Sequence, residues 1–84
     1  MKDNDNLIIT NETALEAVYN FIDLLQTKSV IYIKDGADSN IYGGYYTYTD
    51  IYNKFNDSFI CRIEADYTKD NKFISAKILI KDFN

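Results

Sequence analysis

Residues 59–81 read FICRIEADY-TKDNK-FISAKILIK, two alternating stretches around a polar break. In the first, Phe59, Cys61, Ile63, Ala65 and Tyr67 alternate with Ile60, Arg62, Glu64 and Asp66. In the second, Ile74, Ala76, Ile78 and Ile80 alternate with Ser75, Lys77, Leu79 and Lys81. A period of two is the spacing of a strand with one face buried. A two-residue turn at Asp70-Asn71 pairs Tyr67 with Ile74, Ala65 with Ala76, Ile63 with Ile78 and Cys61 with Ile80, all on one face. The same register sets Glu64 opposite Lys77 on the other face. A slip of one residue breaks both agreements, so the segment predicts an antiparallel hairpin in one register.

Upstream, the period changes. Leu15, Val18, Tyr19, Ile22 and Leu25 recur at helical spacing, with Ala14, Phe21 and Leu24 widening the stripe. Glu12, Glu16, Asn20, Asp23 and Thr27 take the other face. Thr10 or Asn11 caps the start, and Lys28 suits the negative end of the helix dipole. The spacing predicts a helix over 12–27.

Val30 to Ile33 is a β-branched and aromatic run, expected as a strand buried on both faces or nearly so. Asp35 to Asn40 is loop chemistry. Ile41 to Tyr48 reads as a second strand, with Gly43-Gly44 marking a bulge or bend. Residues 49–57 allow two readings. Thr49 caps a short helix with Ile51, Tyr52 and Phe55 on one side, or the strand runs on to Tyr52 and turns at Asn53 to Asp57. The helix reading is preferred. Residues 7–9 are a short edge strand or a hydrophobic lead-in, and 1–6 are expected to be disordered. The expected fold class is α+β: one main amphipathic helix on an antiparallel sheet of about four strands, with a second short helix near 49–56.

The chain of 84 residues is expected to be one domain, and its 46% hydrophobic content suffices for a core. Thirteen acidic against nine basic residues leave a net charge of −4. That surface disfavours direct nucleic-acid binding and suits a basic protein partner. A single cysteine forms no internal disulfide, the first residues do not form a signal peptide, and no apolar run is long enough to cross a membrane. These features predict a bacterial cytoplasmic location and no membrane partner.

Chemistry-bearing residues are sparse. The absence of histidine removes the usual general base and metal ligand, and with them triads of the Ser-His-Asp or Cys-His kind. Cys61, on the predicted core face, reads as a small buried hydrophobe rather than a reactive thiol. The carboxylate pairs Asp35/Asp38 and Glu64/Asp66 read as solvated charges. Asp35 to Asn40 lacks the ligand spacing and closing Glu of a calcium loop. Gly43-Gly44 lacks the Lys-Ser/Thr and helix of a phosphate loop. No enzyme activity, metal or cofactor is expected.

Two features remain. Tyr42, Tyr45, Tyr46, Tyr48 and Tyr52 fall close together, and a strand sends some of them to each face, which leaves rigid aromatic area exposed. Nucleobase stacking needs a basic groove, and only Lys54, beside Asp50 and Asp57, lies near. The second feature is acidic. Glu12, Glu16 and Asp23 share a helix face with no lysine one turn away, and Asp35 and Asp38 extend the set. Unpaired acids of this kind imitate a phosphate backbone or dock on arginine-rich surfaces.

In size, acidity and lack of catalytic groups, the chain resembles the small acidic anti-defence inhibitors of phages, the anti-CRISPR type among them. Its bias towards Ile, Asn, Lys and Tyr fits an AT-rich bacterial or phage source. The resemblance implies an inhibitor or decoy that occupies a basic surface of a nuclease or nucleic-acid-binding complex. The alternatives are a homodimeric assembly module, or an acidic antitoxin or immunity protein.

Overall fold

In the computed structural model, which describes residues 4–81, the alternation of 59–81 forms two nine-residue strands, β4 (Phe59–Tyr67) and β5 (Phe73–Lys81). Their register pairs Cys61 with Ile80, Ile63 with Ile78, Ala65 with Ala76 and Glu64 with Lys77. The turn differs from expectation. Thr68 N–H donates to the Lys72 carbonyl at 2.8 Å, and Asn71 takes a left-handed φ of 67°. Three residues therefore sit inside the loop, and Tyr67 pairs with Phe73 rather than Ile74, with a register shift beside it. Asparagine tolerates the left-handed conformation, so the wider turn forms without glycine.

The remaining elements are β1 (Asn4–Ile9), α1 (Glu12–Thr27), β2 (Ile31–Ser39) and β3 (Tyr45–Asn53). All five strands form one antiparallel sheet in the order β1-β5-β4-β3-β2. This corrects the expected four strands and second short helix: α1 is the sole helix among the described residues. Residues 49–53 continue β3. Ile51 is buried between Ile33 and Cys61, and Tyr52 lies between Tyr32 and Phe59, partners that a local helical spacing cannot register. Asn53 to Ser58 then makes the turn.

Three further boundaries move. Asn4 to Asn6, expected to be disordered, pair with β5, while residues 1–3 lie outside the described residues. Asp35 to Ser39 extend β2 instead of forming a loop, because one rim of an edge strand faces water and accepts polar residues. β2 is thus an edge, and Tyr32 and Ile33 are half-buried rather than enclosed. Gly43 and Gly44 lie in the turn before β3, where Gly43 has φ 79°.

α1 occupies the expected span. Asn11 caps it, its Oδ1 accepting from the N–H of Thr13 (2.8 Å) and Ala14 (3.3 Å). At the other end Ser29 adopts φ 61°, and the N–H groups of Ser29 and Val30 donate to the carbonyls of Gln26 and Leu25. That is the paired C-terminal closure usually built on glycine.

The helix joins the two opposite edges of the sheet by crossing one face of it. The core forms beneath, from Ile9, Leu15, Ile22, Ile31, Ile51, Ile63, Ala65 and Ala76. A helix is about 10 Å wide, and five strands at about 4.8 Å spacing span roughly twice that. One helix therefore leaves part of its own face uncovered and the opposite face of the sheet open. The molecule measures 38 × 34 × 21 Å, and its thin dimension is that of one helix layer on one sheet layer.

Candidate functional site

The open face is built by the strand residues that alternate away from α1 and by Phe59, which the irregularity beside Ile51 and Tyr52 moves off the Cys61 side expected for it, while Ile60 packs on the core instead. Tyr46, Tyr48, Asp50 and Tyr52 of β3 lie between Asp38, Gly36, Lys34 and Tyr32 of β2 and Asp66, Glu64, Arg62 and Phe59 of β4. With no layer above them, these side chains cover one another. Tyr32 and Tyr52 stack at 5.2 Å, and Tyr52 meets the edge of Phe59 at 5.7 Å. Lys34 Nζ lies 5.1 Å from the Tyr52 ring and Arg62 Cζ 4.5 Å from the Tyr48 ring. Arg62 donates to both oxygens of Asp50, at 2.6 and 2.9 Å, and lies 3.5 Å from Glu64, which Lys77 approaches to 3.7 Å. The two Asp50 bonds hold the guanidinium proton more tightly than usual, against the effect of partial burial.

The expected tyrosine cluster is therefore divided. Tyr46, Tyr48 and Tyr52 share the open face, half-buried and engaged with neighbours. Tyr45 turns to the helix side, stacks on Tyr67 at 5.2 Å and donates to Asn71 Oδ1 at 2.8 Å. Tyr42 lies in the β2–β3 turn, 60% exposed beside a 90% exposed Ile41. Asn40 holds that turn. Its Nδ2 donates to the carbonyls of Tyr45 and Tyr67 and to Asp66, and its Oδ1 accepts from the N–H of Tyr42 and Gly44.

The acidic set is arranged differently. At about 100° per residue, Glu12, Glu16 and Asp23 fall on one flank of α1 with Tyr19 below them. Ala14, Ala17, Phe21 and Leu24 fall on the other flank. Phe21 lines a groove with Ile31, Ile51, Ile60, Cys61 and Ile78, so the apolar flank overhangs the end of the sheet where these residues of β2 to β5 meet. Beside burial, Tyr19 and Glu12 raise the pKa of Tyr67, at the other end of β4. Asp35 stands on that helix side of the edge strand, opposite Thr49. Asp38 lies on the open side, opposite Tyr46. Glu12, Glu16, Asp23, Asp35 and Asp38 are all exposed, and none pairs with a described cation.

Sequence reasoning missed the Arg62–Asp50–Glu64 network and the role of Asn40. Arg62 and Glu64 are legible as outward-facing residues, but the preferred helix reading of 49–56 takes Asp50 off the sheet. No sequence signal joins Asn40 to Tyr67.

Cys61 is half-buried on the helix side. Burial first, and Asp50 second, push its thiol above the ordinary 9.0. Burial also raises Tyr67 above 10.0, and burial followed by the bond to Asp57 raises Tyr32. The folded state thus holds these protons longer than the unfolded chain. Their stabilisation is complete below the ordinary values of 9.0 and 10.0 and is lost as pH rises through the raised ones. The midpoint of urea unfolding should be flat near neutrality and fall progressively above pH 9.0. Thiol-modifying reagents should react with Cys61 about tenfold more slowly in the folded protein than in urea.

No group of three or more potential metal ligands occurs among the described residues, and no helix there is long and apolar enough to cross a membrane. Fold and surface together define an α+β domain of one helix on an antiparallel sheet, with its paired charges on the open face, Asp38 unpaired beside them, and Glu12, Glu16, Asp23 and Asp35 on the helix side. Compared with known proteins, the chain matches no family model, no curated protein and no solved structure.

Proposed function

We propose that this protein is a non-catalytic inhibitor or decoy. It binds a basic surface of a nucleic-acid-handling protein in the cytoplasm of a bacterial host, in the manner of phage anti-defence proteins. One observation carries the reading: four carboxylates on the helix side are exposed without a described cation, unlike the paired Asp50 and Glu64. Asp50 and Glu64 are satisfied by Arg62 and Lys77 on the open face, whereas Glu12, Glu16, Asp23 and Asp35 stand exposed on one side without a described cation. A fixed row of unpaired acids on a rigid helix presents negative potential at little reorganisation cost, which suits an arginine-rich groove. Lys34, Arg62 and Lys77 are engaged by Tyr52, Asp50 and Glu64, so the aromatic face is not a basic platform for nucleic acid. The same acidic surface would serve an antitoxin or immunity protein, and the identity of the partner decides between them.

The test is capture from a bacterial host lysate on immobilised protein, followed by mass spectrometry. The reading expects a basic, nucleic-acid-binding partner that added DNA displaces and that is released as salt rises. The triple change Glu12→Lys, Glu16→Lys and Asp23→Lys should reduce capture at least about tenfold. A retained partner indifferent to salt, DNA and the triple change would remove the acidic flank from the interface. Loss of capture on changing Tyr42, Tyr46 and Tyr48 to Ser would place the interface on the aromatic side instead.

A further inference from the structure

The two edges of the sheet are protected unequally. The outer rim of β2 carries Lys34, Asp35 and Asp38, charges that resist the approach of another strand. β1 carries one charged residue, Asp5, near its start and none after it. Its stretch Asn6-Leu7-Ile8-Ile9 contains no charge and no proline, and it pairs with β5 without a bulge. Leu7 and Ile8 point to opposite faces, yet they are 55% and 60% exposed.

The apolar surface continues inward from that rim. Leu7 lies opposite Ile78 on the helix side. Ile78, Ile60 and Cys61 floor a groove of about 210 Å³ beside Phe21. Phe21, Leu24 and Ile80 are themselves 59%, 51% and 38% exposed. The flank of α1 above the groove carries none of the acids of the opposite flank.

We propose that β1 pairs antiparallel with β1 of a second copy of this chain, joining two sheets into one of ten strands about a twofold axis normal to the sheet. The rim suits an extended partner, because a row of N–H and C=O groups facing water is a ready template for another strand. The sequence of β1 complements itself. With Ile8 on the axis, Ile8 meets its copy on the open side and Leu7 meets Ile9 of the other copy on the helix side. Apolar faces apolar along the three residues that end β1. Charge agrees. Two chains of net −4 repel, and Leu7 to Ile9 is an uncharged stretch at the opposite edge from Asp35 and Asp38 of β2. Supply agrees as well. Two of the eight buried core residues are alanines, so the chain gains from coverage wherever it folds, and another copy of itself is always present there.

Sedimentation of the intact chain across a wide concentration range is the first test, and twice the monomer mass is expected at the upper end. Ile8→Lys buries two opposed cations at the axis and should weaken the dimer about a hundredfold while leaving the far-ultraviolet circular dichroism unchanged. In a Cys61→Ala background, Ile8→Cys should cross-link into a covalent dimer under mild oxidation, whereas Asp35→Cys on the opposite edge should not. That cross-link decides the matter even where Ile8→Lys fails to fold. A wild-type chain that stays monomeric throughout would overturn the proposal. So would a dimer that survives Ile8→Lys, or cross-linking at residue 35 in preference to residue 8.

Discussion

Gly44→Ala should lower the unfolding free energy by about 3 kcal/mol, one of the largest effects of a single methyl group in this chain. A Cβ at Gly44 would overlap the carbonyl oxygen of Tyr67 and lie 2.7 Å from the Thr68 carbonyl carbon and 2.9 Å from the Lys69 nitrogen. These are backbone atoms of the neighbouring β4–β5 turn, so no side chain can swing aside. The two turns must part, and parting them breaks the bonds of Asn40 to Tyr67 and Asp66. Gly43 is the control. Nothing lies within 4 Å of its Cβ position, and only its φ of 79° resists a side chain. Gly43→Ala should therefore lose about 1 kcal/mol. Urea titration of both variants reads the difference directly, and equal losses would contradict the close approach of the turns.

Arg62→Ala should lower stability by about 2–3 kcal/mol, a figure set below that of a fully enclosed pair because the arginine is one-third exposed. The change leaves Asp50, 13% exposed, beside Glu64 with no cation between them, and it uncovers the Tyr48 ring. Arg62→Lys should recover less than half of the loss, because an ammonium cannot donate in parallel to both oxygens of Asp50. Replacing both partners with leucine should recover most of it, since no unpaired charge remains. A double-mutant cycle by urea unfolding gives the coupling, and additive losses would show that the pair contributes nothing. The network lies on the face opposite α1, so Arg62→Lys should leave capture of a basic partner intact. Capture that falls with Arg62→Lys would argue against docking through the acidic flank.

The parts of this fold that were readable in the sequence are those where local spacing and a second constraint agree. The 12–27 helix has an apolar stripe and an asparagine cap. The β4–β5 register satisfies a face of apolar pairs and the Glu64–Lys77 pair together. Residues 49–53 misled because Ile51, Tyr52 and Phe55 also satisfy a helical period. What makes them strand is Ile33, Cys61 and Tyr32, none of them sequence neighbours. Asp35 to Ser39 misled because turn-type residues are tolerated on an exposed edge, where the Tyr48 ring covers Gly36. β1 was legible only at Leu7 to Ile9, because the strand character of Asn4 to Asn6 comes from β5.

The candidate site was readable in composition more than in geometry. Alternation predicted that Tyr45 and Tyr46 separate, and they do. It could not show that the open-face tyrosines spend their surface on one another and on Lys34 and Arg62. The shared flank of Glu12, Glu16 and Asp23 follows from helical spacing alone, whereas the place of Asp35 on the helix side required the strand pairing.

The pairing of β1 with β5 also bears on the order of assembly. During synthesis β1 leaves the ribosome early, yet its place in the sheet exists only after β5 has emerged. The strands from β2 to β5 follow one another as hairpins and can zip in sequence, while Leu7 waits for Ile78 near the far end of the chain. Until then Leu7, Ile8 and Ile9 are an unshielded adhesive segment, open to chaperones and to neighbouring nascent chains.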